Sequence, residues 1–136
     1  MLGLRHLALN VTDVGRSRAF YEELFGMRVV WQPDGQNVYL SSGADNLALH
    51  QTPNRSPSPA AGALDHFGFV VASVDDVTAM YRHIAAVGPQ HCARIVKEPK
   101  QHRDGSYSFY LSDPDGNVIQ VLYEPNIAEA AGSSHA

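Results

Sequence analysis

With a single cysteine, Cys92, among 136 residues, the chain can form no internal disulfide and no Cys-based zinc site. Any metal would have to be held by His, Asp, Glu or Gln. Long apolar runs are missing as well: the longest are a handful of residues, far below the ~20 needed to cross a bilayer. The N-terminus has neither the basic start nor the apolar run of a signal peptide. The expectation is a cytoplasmic protein with no membrane partner. Charge of one sign is equally scarce, since ten Lys and Arg against fourteen Asp and Glu leave a net charge of -4 with no basic block. Nucleic acid is therefore a poor partner. No phosphate-cradling Gly loop, nucleotide fingerprint or defensible Ser-His-Asp arrangement is found. What remains is an ordinary composition, 44% hydrophobic and 18% charged, of the size of one globular domain around a single core.

The chain repeats itself. Arg5-His6-Leu7-Ala8-Leu9-Asn10-Val11 lies over Asp65-His66-Phe67-Gly68-Phe69-Val70-Val71, and the same offset matches Val14 with Val74, Ala19 with Ala79 and Tyr21 with Tyr81. A repeated supersecondary unit constrains the fold more firmly than local propensity does. Each copy opens with an alternating strand, passes a polar turn able to cap a helix (Thr12-Asp13, then Ser73), and continues into a helix. Phe20, Leu24 and Phe25 share one helix face, and Gly26 is placed as a left-handed stop. In the second copy Val77, Met80, Tyr81 and Ile84 do the same, with Asp75 and Asp76 in the first turn and Gly88 near the end. Three β patterns follow each helix, at about 27–33, 36–42 and 46–51, then about 92–98, 105–112 and 117–124. Each half reads β-α-β-β-β. The expected class is α+β: two such modules, about 3–52 and 63–125, forming curved mixed sheets around a cavity within one domain, 1–126. The Pro- and Ser-rich stretch 53–62 reads as a linker, and 127–136 as a flexible tail.

Strand parity separates two rows of side chains. Leu7, Leu9 and Val11 oppose His6, Ala8 and Asn10; Phe67, Phe69 and Val71 oppose His66, Gly68 and Val70. Tyr107, Phe109 and Leu111 oppose Ser106, Ser108 and Tyr110; Ile119, Val121 and Tyr123 oppose Val118, Gln120 and Leu122. One row suits packing against helices, and the other is mixed and rich in potential ligands. His6 and His66, at matching places in the two copies, would point into the concavity, and converging imidazoles are what a divalent metal requires. His50 shares this parity as a pocket-wall residue or a solvated strand end. Trp31 and Tyr39 are candidates for the cavity wall, Trp31 equally for a subunit contact. His83, His91 and His135 read as structural or exposed, His102 as part of a solvated loop, and Cys92 as an inert strand residue.

The repeat, the paired His, Arg16-Ser17-Arg18-Ala19-Phe20-Tyr21 with Leu24-Phe25-Gly26, and Phe109-Tyr110-Leu111-Ser112-Asp113-Pro114-Asp115-Gly116-Asn117 resemble the vicinal oxygen chelate superfamily over about residues 3–125. This group contains glyoxalase I, extradiol dioxygenases, fosfomycin-resistance thiol transferases and metal-free bleomycin-binding proteins. The resemblance implies a divalent metal (Fe, Mn, Ni or Zn) on His6, His66 and Gln120, where the family's third ligand is a Glu, with Ala48 at the further ligand position of glyoxalase I. It also implies Tyr110 as a hydrogen-bond donor to the chelated ligand, a pocket including Ser108, His50, Trp31 and Tyr39, and a homodimer with a small-molecule substrate. The function it implies is a glyoxalase- or dioxygenase-like enzyme that chelates vicinal oxygens. The alternative is a metal-free drug- or small-molecule-binding resistance protein of the bleomycin-resistance type.

Overall fold

A computed structural model describes residues 1–52 and 62–127. The expected linker, apart from its last residue, and the expected tail, apart from its first, lie outside the described residues. The element order is β1 His6–Val11, α1 Val14–Phe25, β2 Arg28–Asp34, β3 Asn37–Ser41, β4 Asn46–Gln51, β5 Phe67–Val70, α2 Val74–Val87, β6 Arg94–Gln101, β7 Tyr107–Ser112 and β8 Val118–Tyr123, with a short 3-10 turn at Gly88–His91. The expected β-α-β-β-β modules are thus both present. Their sheets are separate and four-stranded, ordered β1-β4-β3-β2 and β5-β8-β7-β6. In each, the first strand runs parallel to the last and forms one edge of the sheet.

The helices start where side chains can satisfy their first N–H groups. Asp13 accepts from Arg16 N at the head of α1, and Ser73 accepts from Asp76 N at the head of α2. Gly26 closes α1 at φ 66, and its N–H and that of Met27 reach back to Glu22 O and Tyr21 O, a reversal that a Cβ would penalise. Gly88, by contrast, stays right-handed at φ -60, so α2 passes directly into the 3-10 turn. Cys92 follows that turn at φ 63 and is exposed, not in a strand as expected. Strand β6 begins two residues later than predicted and runs through Pro99 to Gln101. Proline is tolerated there because β6 is an edge strand that need not donate every N–H.

The parity rows are observed. Leu9, Val11, Val38, Leu40, Leu47 and Leu49 from one sheet, and Phe109, Leu111, Ile119 and Val121 from the other, pack with Phe20, Tyr21, Leu24, Val77 and Ile84 of the helices into the core. His6, Ala8 and Asn10 stay exposed on the opposite face of β1. One buried polar atom lacks a partner among the described residues: Ser17 Oγ, on the inner face of α1. Replacing Ser17 with Ala removes that desolvated hydroxyl without leaving a large void, so stability should stay level or rise by up to about 1 kcal/mol. A thermal melt showing a clear loss would mean that the hydroxyl is satisfied in solution.

The modules are buckled by the Asp113-Pro114-Asp115-Gly116 turn. Asp113, 2% exposed, accepts hydrogen bonds from Tyr21 Oη at 2.7 Å, from the backbone N–H groups of Asp115 and Asn117, and from Asn117 Nδ2. Asp115, 1% exposed, accepts from Thr12 N and Thr12 Oγ1, with the Arg16 guanidinium 3.9 Å away. A turn of the second module is thereby clamped to the first helix of the first. Phe25 stacks on Phe69 with centroids 4.1 Å apart, and His83 Nε2 meets Glu23 O at 2.9 Å, adding further inter-module contacts.

Candidate functional site

His6 opens β1, and His66 sits immediately before β5. Because these are edge strands of their sheets, both imidazoles reach one cleft of about 590 Å³. Its walls are largely apolar, including Leu4, Leu7, Leu47, Leu64, Phe67 and Phe69. Each ring is anchored through Nδ1. His6 Nδ1 lies 2.8 Å from Asn46 Oδ1, across the β1–β4 pairing, and His66 Nδ1 lies 2.7 Å from Asp65 Oδ2. Both partner atoms are acceptors, so in the neutral form of each ring Nδ1 carries the proton and Nε2 keeps its lone pair. This is the hydrogen-bonding pattern that orients metal-binding histidines.

Gln120 projects from the same face of the second sheet as His66. It pairs with Gly68, two residues beyond His66, which puts the alpha carbons of Gln120 and His66 about 8 Å apart. Its Nε2 donates to Ser108 Oγ at 3.0 Å, leaving Oε1 as the end able to coordinate. Gln120 and Tyr110 line a second hollow of about 680 Å³, with Lys100, His102 and Arg103 at its side. Tyr110 links the two hollows, for its ring meets that of His66 edge-on at 5.3 Å. Burial, and to a lesser degree the Asp65 carboxylate, push the Tyr110 phenol above its ordinary pKa, so it stays a protonated donor at neutral pH.

The remaining expected pocket residues divide into two groups. Ser108 is buried beneath the second hollow, bonded to Gln120 and, at 2.9 Å, to His102 Nε2. His102 therefore differs from the solvated loop residue that the sequence suggested; the loop closes back on β7 through this bond. Trp31, Tyr39 and His50 lie together on the first sheet, away from both hollows. Trp31 stacks on Tyr39 at 4.9 Å, and Tyr39 meets His50 edge-on at 5.8 Å. His50 Nδ1 is 2.6 Å from Asn37 Oδ1. The anchors Asn46, Asp65 and Asn37 went unnoticed in the sequence. Asp65 could have been found as the carboxylate beside His66, whereas Asn46 and Asn37 become visible only through strand register.

A divalent cation finds chemically suitable donors here: two Nε2 lone pairs with fixed tautomers and an amide oxygen on the same sheet face as one of them. The set carries no carboxylate, and among the described residues no group of three or more His, Cys, Asp or Glu side chains is arranged to hold a metal. Among the described residues, no helix is long and apolar enough to cross a membrane.

Known proteins share this architecture. A trivalent organoarsenical cleaving enzyme of Bacillus sp. (strain MD1) is 29% identical over 133 residues, covering 91% of this chain and 74% of its own. Metallothiol transferase FosB of Bacillus licheniformis is 23% identical over 121 residues, covering 89% and 75%. The crystal structure of lactoylglutathione lyase from Agrobacterium tumefaciens superposes with a TM-score of 0.70 at 25% identity, covering 89% of this chain and 92% of that one. The profile of the Glyoxalase/Bleomycin resistance protein/Dioxygenase superfamily matches residues 3–121, nearly the whole described fold, and the chain belongs to that superfamily.

Proposed function

We propose that this chain is a small-molecule enzyme of the glyoxalase or dioxygenase type, with His6, His66 and Gln120 as the donors for a divalent metal. The observation that carries this reading is the matched pair of histidines, one per module, sharing a cleft with both Nδ1 atoms tied down. A bound cation would act there as a Lewis acid toward two adjacent oxygens of a substrate. The relatives named metallothiol transferase and lactoylglutathione lyase are in keeping with it.

The chain's own residues define the rest of the chemistry. Asn46 and Asp65 hold the imidazoles in one tautomer. Tyr110, kept protonated and in ring contact with His66, donates a hydrogen bond to an oxygen held near that ring and stabilises negative charge developing on it. Gln120 cannot take a proton as a carboxylate would, so it orients and does not act as a base. Two neutral imidazoles and a neutral amide leave the cation's charge uncompensated, which favours an anionic chelating substrate.

Replacing Gln120 with Glu restores a negative ligand on the same strand position. Affinity for Zn²⁺ or Ni²⁺, read by calorimetry on tag-free protein, should rise by about tenfold or more. An unchanged affinity would remove Gln120 from the ligand set. A second reading rests on that missing carboxylate: a metal-free small-molecule binder, in which the imidazoles and Tyr110 serve as hydrogen-bonding groups. It predicts no metal uptake by either form.

A further inference from the structure

Gln120 is one end of a three-residue hydrogen-bond chain that runs from the second sheet into the β6–β7 connection. Its Nε2 donates to Ser108 Oγ at 3.0 Å, and His102 Nε2 lies 2.9 Å from the same oxygen. Ser108 is 1% exposed, so its hydroxyl is satisfied by these two neighbours. A closed turn delivers the far end of the chain. His102 N donates to Ser106 O, Gly105 N donates to His102 O, and Asp104 accepts from Ser106 N and Oγ. Gly105 takes the φ of 94 that this turn requires. The imidazole is thereby held, half-buried, against β7.

A serine hydroxyl has one hydrogen to give. With Gln120 Nε2 donating into Ser108 Oγ, that hydrogen goes to His102 Nε2, which takes it as the unprotonated nitrogen of a neutral ring. Gln120 Oε1 is then left without a hydrogen-bond partner among the described residues, in a side chain that lines the second hollow. Without an acceptor at His102, the acceptor left to the buried hydrogen within this chain is Gln120 Oε1. The amide must then turn over, and its NH2, which has no lone pair to share, takes the place of the oxygen. The first module offers a comparison. Tyr39 pairs there with Ala48 where Tyr110 pairs with Gln120, and Asn37, at the place of Ser108, is bonded to His50. The relay occurs in the module that has an amide to orient. We propose that His102 is a positioning residue which, through Ser108, holds the amide oxygen of Gln120 toward the hollow. Its consequence for a metal rests on Gln120 being a donor, as proposed above, but the orientation itself needs no metal.

Nitrogen NMR of chelator-treated protein, with the imidazoles neutral, tests the orientation directly. His102 should show Nε2 as its unprotonated nitrogen. The Gln120 side-chain NH2, assigned by its absence in Gln120→Glu, should exchange slowly with water. His102→Phe keeps a flat ring but offers no acceptor, so the NH2 should turn to solvent and exchange faster. His102→Gln puts a carbonyl oxygen in reach of Ser108 and should restore slow exchange. With Zn²⁺ added, His102→Phe and Ser108→Ala should each weaken binding by about tenfold, and the double variant by no more than either. In Gln120→Glu, whose two carboxylate oxygens are alike, the same changes should stay within about twofold. A protonated Nε2 on neutral His102, or Gln120 exchange that His102→Phe leaves unchanged, would overturn the inference. So would a Zn²⁺ affinity untouched by His102→Phe, or one weakened equally with Glu at position 120. If Zn²⁺ fails to bind the wild-type chain while the NMR pattern holds, the metal reading falls and the positioning role of His102 stands.

Discussion

Asp113→Ala should cost about 3–5 kcal/mol of unfolding free energy, a third or more of what a domain of this size commonly has. The carboxylate accepts from four donors at once, two of them backbone N–H groups of its own turn and one the Tyr21 hydroxyl of the other module. Deleting it strands those donors in a site that is 2% exposed. Urea unfolding should show the loss, and Tyr21→Phe should show a smaller one of about 1–2 kcal/mol, since it leaves one acceptor short of one donor. A loss below about 1 kcal/mol for Asp113→Ala would mean that water replaces the carboxylate and that the modules are joined chiefly by apolar packing.

The same residue gives the stability a pH signature. Burial pushes the Asp113 carboxyl above its ordinary 3.8, against the opposing hydrogen bonds of Asn117 and Tyr21. The folded state then holds this proton more tightly than the unfolded chain does. Its contribution is fully present below 3.8 and is lost as pH rises through the raised folded value. Over that mildly acidic window the wild-type protein should gain stability as pH falls, and Asp113→Asn, which cannot titrate, should lack this component. Asp34 and Asp104 are shifted the other way by hydrogen bonds from Gln36 and Ser106, so their contributions are lost at still lower pH. The two effects are separated on the pH axis.

Much of this architecture was legible because the repeat ties local patterns to one another. His6 and His66 were matched by alignment of the chain with itself, and the period-2 alternation of Leu7-Leu9-Val11 and Phe67-Phe69 placed both histidines on the row opposite the core before any register was known. Strand boundaries were less legible around 92–104, where Gly88 continues the turn right-handed and Pro99 sits inside an edge strand. Contacts between modules could not be read at all. The Asp-Pro-Asp-Gly turn resembled a family signature, yet nothing local in it says that Asp113 will meet Tyr21, 92 residues away. For the same reason Trp31, Tyr39 and His50 could be assigned to a cavity wall but not to one stacked group apart from the histidine cleft. Their association depends on the β2–β3–β4 register.

The second large effect concerns the histidines. Losing either His6 or His66 should weaken divalent-metal binding by at least about a hundredfold, because even the residues that merely orient such ligands contribute about tenfold to a hundredfold. Asp65→Asn and Asn46→Ala, which loosen a ring without removing it, should fall in that smaller range. Both histidines lie at exposed or half-exposed strand starts, so their replacement by alanine should leave the unfolding midpoint nearly unchanged, and a lost metal cannot be blamed on a lost fold.

The most direct test is a metal titration of tag-free, chelator-stripped protein with Fe²⁺, Mn²⁺, Ni²⁺ and Zn²⁺, run in parallel on His6→Ala and His66→Ala. The account predicts that at least one of these ions binds the wild-type chain stoichiometrically and that either substitution abolishes this uptake. Equal binding by the variants, or no binding by the wild-type protein to any of the four, would contradict it.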